Sequence, residues 1–438
     1  MSDYIYMLES HLSPDQNQVV GDVQTAAGAV GVNLFLTGGA MRDMLAGFRI
    51  RDLDFAVEGN ALKVAKVLAE KHGARMLSTD DDRKTAELHF ASGVTAQVAM
   101  SRQEKFARTG AKPQISPATI QEDLRGRDFT CNAIALSLNR ASRGLLLDPM
   151  NGLADIERRE LRAVTTYGFY DDPSRLLRLV RFQARLGFTV EERTQMQVAN
   201  AREAEVEKRI AGKTLGAELR RIGMEDVPAE IVKGLDGAGL LVLFSPALAG
   251  GKLNMQGLQK FEKICHLVPD ETRWRAARLG TFLYALTEKL SPKEKQSLVK
   301  TCELTRSDVD QWQKVEARAK KLETALKSAR IRKPSQVYHI VNPAAPDEVL
   351  FLLYHSTQKP VQERLRNQFQ KYLPLVQEIP PEEFAKIEGK PGTPKYNKAR
   401  EEFIAVQLDR RPKKPVEPVP AVPPPPTEMV GPRRGIRG

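Results

Sequence analysis

Two hydrophobic periods divide the chain. In the first third short runs alternate. Val32 to Thr37 reads as a strand, Gly38-Gly39 interrupts it, and a short helix follows to about Gly47. Leu53, Phe55 and Val57 alternate with Asp52, Asp54 and Ala56, the pattern of a second strand with one mostly apolar face. Ala61 to Lys71 reads as an amphipathic helix, and Glu87 to Phe90 and Val94 to Ala99 as further strands. These elements predict an α+β domain with an at least partly antiparallel sheet. From about Asp172 the spacing becomes helical, as in Leu176, Leu177, Leu179, Val180 and Phe182. Leu215–Ile222, Trp274–Leu286 and Trp312–Ala329 read the same way. From about Glu378 prolines multiply, up to Pro423-Pro424-Pro425-Pro426, with Arg433, Arg434 and Arg437 beyond. That segment reads as a disordered basic tail.

Composition narrows the partners more than the fold. The formal charge of +12 and a pI near 9.5 favour a polyanion such as nucleic acid. No apolar run is long enough to span a membrane, and Met1 to Ser10 lacks the basic start and apolar stretch of a signal peptide, so the expectation is a cytoplasmic protein. Cys131, Cys265 and Cys302 are widely spaced and odd in number, which fits idle thiols. The six histidines form neither a His-Asp doublet nor an HExxH pair, which argues against zinc chemistry.

Candidate chemistry lies in Thr37-Gly38-Gly39-Ala40-Met41-Arg42-Asp43 and Arg51-Asp52-Leu53-Asp54. Glycines between a strand and a helix let backbone N–H groups approach a phosphate, and Arg42 in the first turn could add a bidentate contact. Asp52 and Asp54, two apart on a strand, share a face. Adjacent carboxylates repel unless a cation lies between them, and Mg²⁺ suits oxygen ligands and triphosphates.

This combination resembles the signature of polymerase β-type nucleotidyltransferases, in the form found in the class II tRNA nucleotidyltransferase and bacterial poly(A) polymerase family. Three further blocks resemble that family. Arg125-Gly126-Arg127-Asp128-Phe129-Thr130-Cys131-Asn132 is similar to its sugar- and phosphate-contacting block, matching at Arg127, Asp128 and Asn132. Asp148-Pro149 to Asp155 resembles a turn that hinges the catalytic domain onto the next. Asp171-Asp172-Pro173-Ser174-Arg175 opens a helix on which Arg178 and Arg181 follow at intervals of three. Read without the family, Asp172 before Pro173 is also a good helix N-cap, and the arginine stripe a solvated face. The resemblance implies instead that Asp172 and Arg175 read the incoming base, with Arg178 and Arg181 toward triphosphate or RNA. Cytosine and adenine both offer an amino donor beside a ring-nitrogen acceptor, which suits a carboxylate and a guanidinium. Uracil and guanine present the reverse.

The implied architecture is a nucleotidyltransferase head (1–165), a helical neck carrying base-reading and RNA-binding helices (166–235), a helical body and tail that bind tRNA (236–377) and the Pro-rich disordered tail (378–438). The implied reaction is metal-dependent addition of CCA to the 3′ end of tRNA from CTP and ATP, releasing pyrophosphate, with Mg²⁺ held by Asp52 and Asp54. The sequence departs from the family at two positions. Gly126 replaces the first arginine of a pair. Gln97, five before Arg102-Gln103-Glu104, stands where a third carboxylate is usual. Glu87 and Glu104 are the candidates to compensate, and Gln97 is expected to slow rather than abolish activity. Arg108 to Gln121 reads as a mobile basic loop. Alternatives are a CC- or A-adding enzyme, a poly(A) polymerase, and an RNA-binding protein that has lost catalysis. The sequence does not specify an oligomeric state.

Overall fold

A computed structural model describes residues 3–270 and 272–410. Helices α1 (Asp3–His11) and α2 (Pro14–Val30) lead into strand β1 (Asn33–Thr37). The start of α2 is fixed by a capping box in which Ser13 and Gln16 each accept the other's backbone N–H, with Pro14 in the first turn. Gly31 ends the helix in the left-handed conformation (φ 75°). There follow α3 (Gly39–Leu45), β2 (Leu53–Glu58), α4 (Ala61–Lys71), β3 (Arg75–Asp80), β4 (Thr85–His89), β5 (Thr95–Met100), β6 (Arg102–Lys105), β7 (Gln114–Pro117), α5 (Ile120–Arg125), β8 (Ala135–Ser137) and β9 (Leu146–Leu147).

Seven of these strands form one mixed sheet in the order β3-β4-β5-β2-β1-β8-β9. The β2–β5 pair is parallel and the others antiparallel. Alternation sends Leu53, Phe55 and Val57 of β2, Ala96 and Val98 of β5, and Ala86 and Leu88 of β4 into the main core with Val64, Ala65 and Leu68 of α4. The opposite face is only partly covered, by a small cluster of Phe35, Ala56, Ile120, Leu124, Ala133 and Ala135. Asp54, Gln97 and Glu87 are cross-strand partners on this second face. The reach of the α+β domain thus follows the hydrophobic pattern, and its bare face is where the acids stand.

After α6 (Gly152–Arg158) and the short strand β10 (Glu160–Leu161), the chain turns helical through α7 (Gly168–Asp171) and α8 (Arg175–Leu186). Strand β11 (Thr189–Val190) returns to pair in parallel with β10, so a small ribbon bridges the boundary drawn at 165. Helices α9 (Glu192–Glu203), α10 (Gly212–Met224), α11 (Pro228–Gly237), α12 (Met255–Leu267), α13 (Thr272–Ala276) and α14 (Arg278–Thr287) continue. Further helices follow to Pro394–Asp409. The predicted Trp274–Leu286 and Trp312–Ala329 helices are each broken once, at Ala277 and Lys314.

Two expectations are corrected. Arg108 to Gln121 is not one loop, because Gln114–Pro117 pairs with Arg102–Lys105 as an antiparallel ribbon. The tail expected to be unstructured from residue 378 contains the helices Pro381–Ala385 and Pro394–Asp409. Ile404 and Leu408, four apart on one helical face, pack with Tyr338 and Val376, and Asp409 accepts two hydrogen bonds from Ser335. The proline-rich stretch from Pro412 lies outside the described residues. Among the described residues no helix is long and apolar enough to cross a membrane.

Candidate active site

The site is built around Asp54. Gly38, with φ 63° and ψ −127°, turns the chain between β1 and α3. Gly39 N–H then donates to Asp54 Oδ2 at 3.3 Å. A Cβ on either glycine would come 3.3 Å from that same oxygen, so both positions need glycine if anything further is to enter beside the carboxylate. Asp52 stands two residues earlier, just before β2, its side chain 60% exposed. Burial, followed by the charge of Asp52, pushes Asp54 up to about 6. Arg127, the Gly39 N–H and Arg42 oppose the shift without cancelling it. A half-buried acid held this high beside a second acid marks a deficit of positive charge, and the glycine cradle leaves room for it. Two carboxylates plus substrate oxygens are an ordinary Mg²⁺ donor set, so the residues fit that ion. Among the described residues no group of three or more acidic, His or Cys side chains is arranged to hold a metal. Gln97 is the register partner of Asp54, and Glu87 lies one strand further out, where Ser78 Oγ donates to it at 3.1 Å.

Arg127 lies beside the cradle. Its Nε and Nη2 are fixed by Asp123 Oδ2 (3.0 and 2.6 Å), and its Nη1 faces Gly38, 3.7 Å from where a Cβ would sit. Asp123 is four residues before Arg127, a helical ion-pair spacing legible in the sequence.

Arg42 is enclosed and in part already engaged. Only 2% exposed, it donates from Nε and Nη2 to Asp43 Oδ1 (2.9 and 2.7 Å) and from Nη1 to Asn132 Oδ1 (2.7 Å). Its guanidinium also lies over the Phe182 ring, 5.0 Å from the centroid. Three of its five N–H groups are thus taken by the scaffold, while its Nη2 lies 3.6 Å from where a Cβ on Gly39 would sit. Asn132 and Asp128 belong to the same scaffold. Asn132 Nδ2 donates to Asp128 Oδ1 (3.0 Å), and Asp128 Oδ2 is 2.6 Å from Arg178 Nη2. Burial works against ionising Asp128, but Arg178 and Asn132 hold it below the ordinary carboxylate range.

Of the arginine stripe, Arg175 and Arg178 turn toward the sheet domain and Arg181 does not. Arg175 Nη2 donates to Gly126 O at 2.9 Å, so the backbone of the departing residue supports the guanidinium. Gly168 packs against the same group: a Cβ there would lie 2.8 Å from Arg175 Nη1. Asp172 Oδ1 accepts from Ser174 N and Oγ (3.1 and 2.6 Å), which caps the turn into α8. Asp171, raised by burial with Arg175 opposing, adjoins them. Arg181 is 5% exposed and bound to Glu218 and Glu225, both at 3.1 Å. Two helical steps of three carry it about 120° round the helix from Arg175, away from the site. It is corrected from a nucleotide contact to a buried ion-pair member. Glu104 pairs with Arg102 at 2.9 Å and is held low by it, against burial. The three cysteines are free and buried, their thiols pushed up to about 12 by burial.

A glycine loop over the strand aspartate Asp54, with Asp52 just before that strand instead of on it as expected, on a mixed sheet followed by helices, defines a polymerase-type nucleotidyltransferase head with a helical body. Residues 34–162 match the poly(A) polymerase head domain family. A multifunctional CCA protein of Pseudomonas putida is 30% identical over 281 residues, 61% of this chain and 71% of that protein. The chain therefore belongs to the tRNA nucleotidyltransferase and poly(A) polymerase family. An A-adding tRNA nucleotidyltransferase of Geobacter sulfurreducens is 29% identical over 262 residues, 60% of this chain. The chain spans only 30% of the length of that relative. The fold is shared over nearly the whole chain: a CCA-adding enzyme in an apo form superposes with a TM-score of 0.54 at 24% identity, covering 94% of this chain and 96% of the other.

Proposed function

We propose that this chain adds nucleotides to the 3′ end of tRNA from CTP and ATP, completing the terminal CCA, with Mg²⁺ as cofactor. The observation that carries the reading is Asp54 beneath the Gly38-Gly39 cradle, with the charge of Asp52 acting on it and Arg127 alongside. Asp52 and Asp54 hold the ion, which when bound supplies charge that eases deprotonation of the RNA hydroxyl and departure of pyrophosphate. The Gly39 backbone and Arg127 Nη1 receive triphosphate oxygens. Arg178, 31% exposed and anchored by Asp128, is assigned to the triphosphate or the RNA. As the RNA 3′ oxygen bonds to the α-phosphorus, the bridge to the β-phosphate breaks and pyrophosphate leaves. Position 97 offers only a neutral amide, so the hydroxyl proton passes to water. That is a slower route than a positioned base, whose loss typically costs about 10²–10⁴-fold. Asp172 and Arg175 select C and A by accepting from the amino group and donating to the ring nitrogen. The helices after residue 235 grip the tRNA, and the reading places the chain in the cytoplasm.

A second reading, addition of A alone, is favoured by the name of the Geobacter sulfurreducens relative. Purified protein with Mg²⁺ and tRNAs ending before CCA, after C and after CC separates them. Ordered CCA addition and arrest supports the first reading. A added only after CC supports the second. CC alone or a long A-tail identifies the corresponding relatives, and no incorporation at any end contradicts an enzymatic role.

A further inference from the structure

The sequence offers no motif in the helical body, yet one body side chain reaches the catalytic acids. Arg275, in α13, places Nη1 3.8 Å from Asp52 Oδ1. It does not float there. Its Nε donates to Met224 O at 3.2 Å and lies 3.9 Å from Asp270 Oδ1, and the side chain is only 16% exposed. The surroundings brace it. Arg278, 1% exposed, donates to Asp226 Oδ1 at 2.9 Å and to Cys265 O at 3.2 Å. Arg51, the residue before Asp52, pairs with both Glu225 and Asp226. Strand β2 is thus tied to the α10–α11 turn and to α13 through one ionic network that ends on Asp52.

Within that network Glu225 and Asp226 are served by other cations. Glu225 has Arg181, Arg185 and Arg51, and Asp226 has Arg51 and Arg278. Asp52 has Arg275 alone among the described residues. We propose that Arg275 is a stand-in cation for Asp52, a body residue that occupies the acid until the metal ion takes it, so that metal loading and docking of α13 oppose each other. This rests on the metal-ion reading of Asp52 and Asp54. A guanidinium held at 3.8 Å lowers the negative potential a divalent cation meets, and the cation must displace or outbid it. Because the coupling is between two binding equilibria, it is reciprocal: the ion weakens the α13 contact by the factor by which the contact weakens the ion.

The test is Mn²⁺ affinity of the full chain without nucleotide, read from the free-ion signal in electron paramagnetic resonance at fixed ionic strength. Arg275→Ala is expected to bind Mn²⁺ about three- to five-fold more tightly, the scale of an exposed ion pair. Arg275→Lys, which keeps the charge, is expected to stay near the parent protein. Arg273→Ala makes the same charge change one helical step away, on a side chain bonded to Asn342 O and Ala344 O, and is expected to shift affinity less than two-fold. Unchanged or weaker binding in Arg275→Ala, or equal tightening in Arg273→Ala, overturns the proposal. Asp54→Asn separates the two levels: if it weakens Mn²⁺ while Arg275→Ala does nothing, only the stand-in role fails. If Asp54→Asn has no effect either, the metal reading fails with it. Should Arg275→Ala not fold, Arg275→Gln carries the same expectation.

Discussion

At Asp54, burial and the charge of Asp52 raise the cost of ionisation, and the acid sits at about 6 against an ordinary value of 3.8. A folded-state value above the unfolded one means that the native protein binds the proton more tightly between about pH 4 and 6. Stability therefore falls as pH rises through that window, and the full penalty is present at pH 7. Asp54→Asn is expected to stabilise the metal-free protein by about 2 kcal/mol at pH 7, allowing for partial exposure, and by close to nothing at pH 4. Urea denaturation at the two pH values measures this; equal effects at both would contradict the electrostatic origin. The same proton competes with Mg²⁺, so metal affinity should weaken below about pH 6. Asp172 is the other decisive residue. With its carboxylate gone, UTP and GTP lose a mismatch of about 1–3 kcal/mol. Asp172→Ala is expected to incorporate them at least several-fold more readily relative to CTP and ATP, in assays with each nucleotide singly. A variant that still excludes both contradicts the base-reading role.

At the scale of the element, α8 separates what the sequence disclosed from what it did not. The apolar spacing of Leu176, Leu179 and Phe182 located the helix, and Arg175 and Arg178 reach back to Gly126 O and Asp128 of the sheet domain. Arg181 shares their spacing but meets Glu218 and Glu225 of a helix more than 30 residues away, and no local pattern announces such partners. Arg42 shows the same limit. Its place after Gly38-Gly39 suggested phosphate, while Asp43 and Asn132 take three of its five donors. Strands β1, β2, β4 and β5 were legible because one face of each is apolar, whereas β3, β6 and β7 bury no such face. That Gln97 borders Asp54 depends on a parallel pairing between strands 40 residues apart, which periodicity does not encode. Arg181→Ala leaves two buried glutamates each short of a cation and is expected to cost about 3 kcal/mol in chemical denaturation, with nucleotide preference unchanged. A change of preference without loss of stability would return Arg181 to the nucleotide site.

Across the whole molecule, the sheet domain supplies the acids and the cradle. Helix α8 joins it through Arg175 to Gly126 O and through Arg178 to Asp128, and the body is tied back through Arg275 and Arg278. The helix before the proline-rich stretch participates in packing, because Ile404 and Leu408 close over Tyr338 and Val376. A protein ending at residue 392 is therefore expected to be less stable than one ending at residue 410, by about 2–4 kcal/mol for the lost apolar contacts and the Ser335–Asp409 bonds. Equal midpoints in thermal denaturation would show that the helix adds nothing.

The central claim is that Asp52 and Asp54 transfer nucleotides to tRNA. Its most direct test is the length and sequence of the products made from a tRNA lacking CCA, with CTP, ATP and Mg²⁺, by the parent protein and by Asp54→Asn under conditions where both bind tRNA equally. The account predicts defined nucleotides at the 3′ end from the parent protein and none from Asp54→Asn. Equal products from both, or none from either while tRNA remains bound, would contradict it.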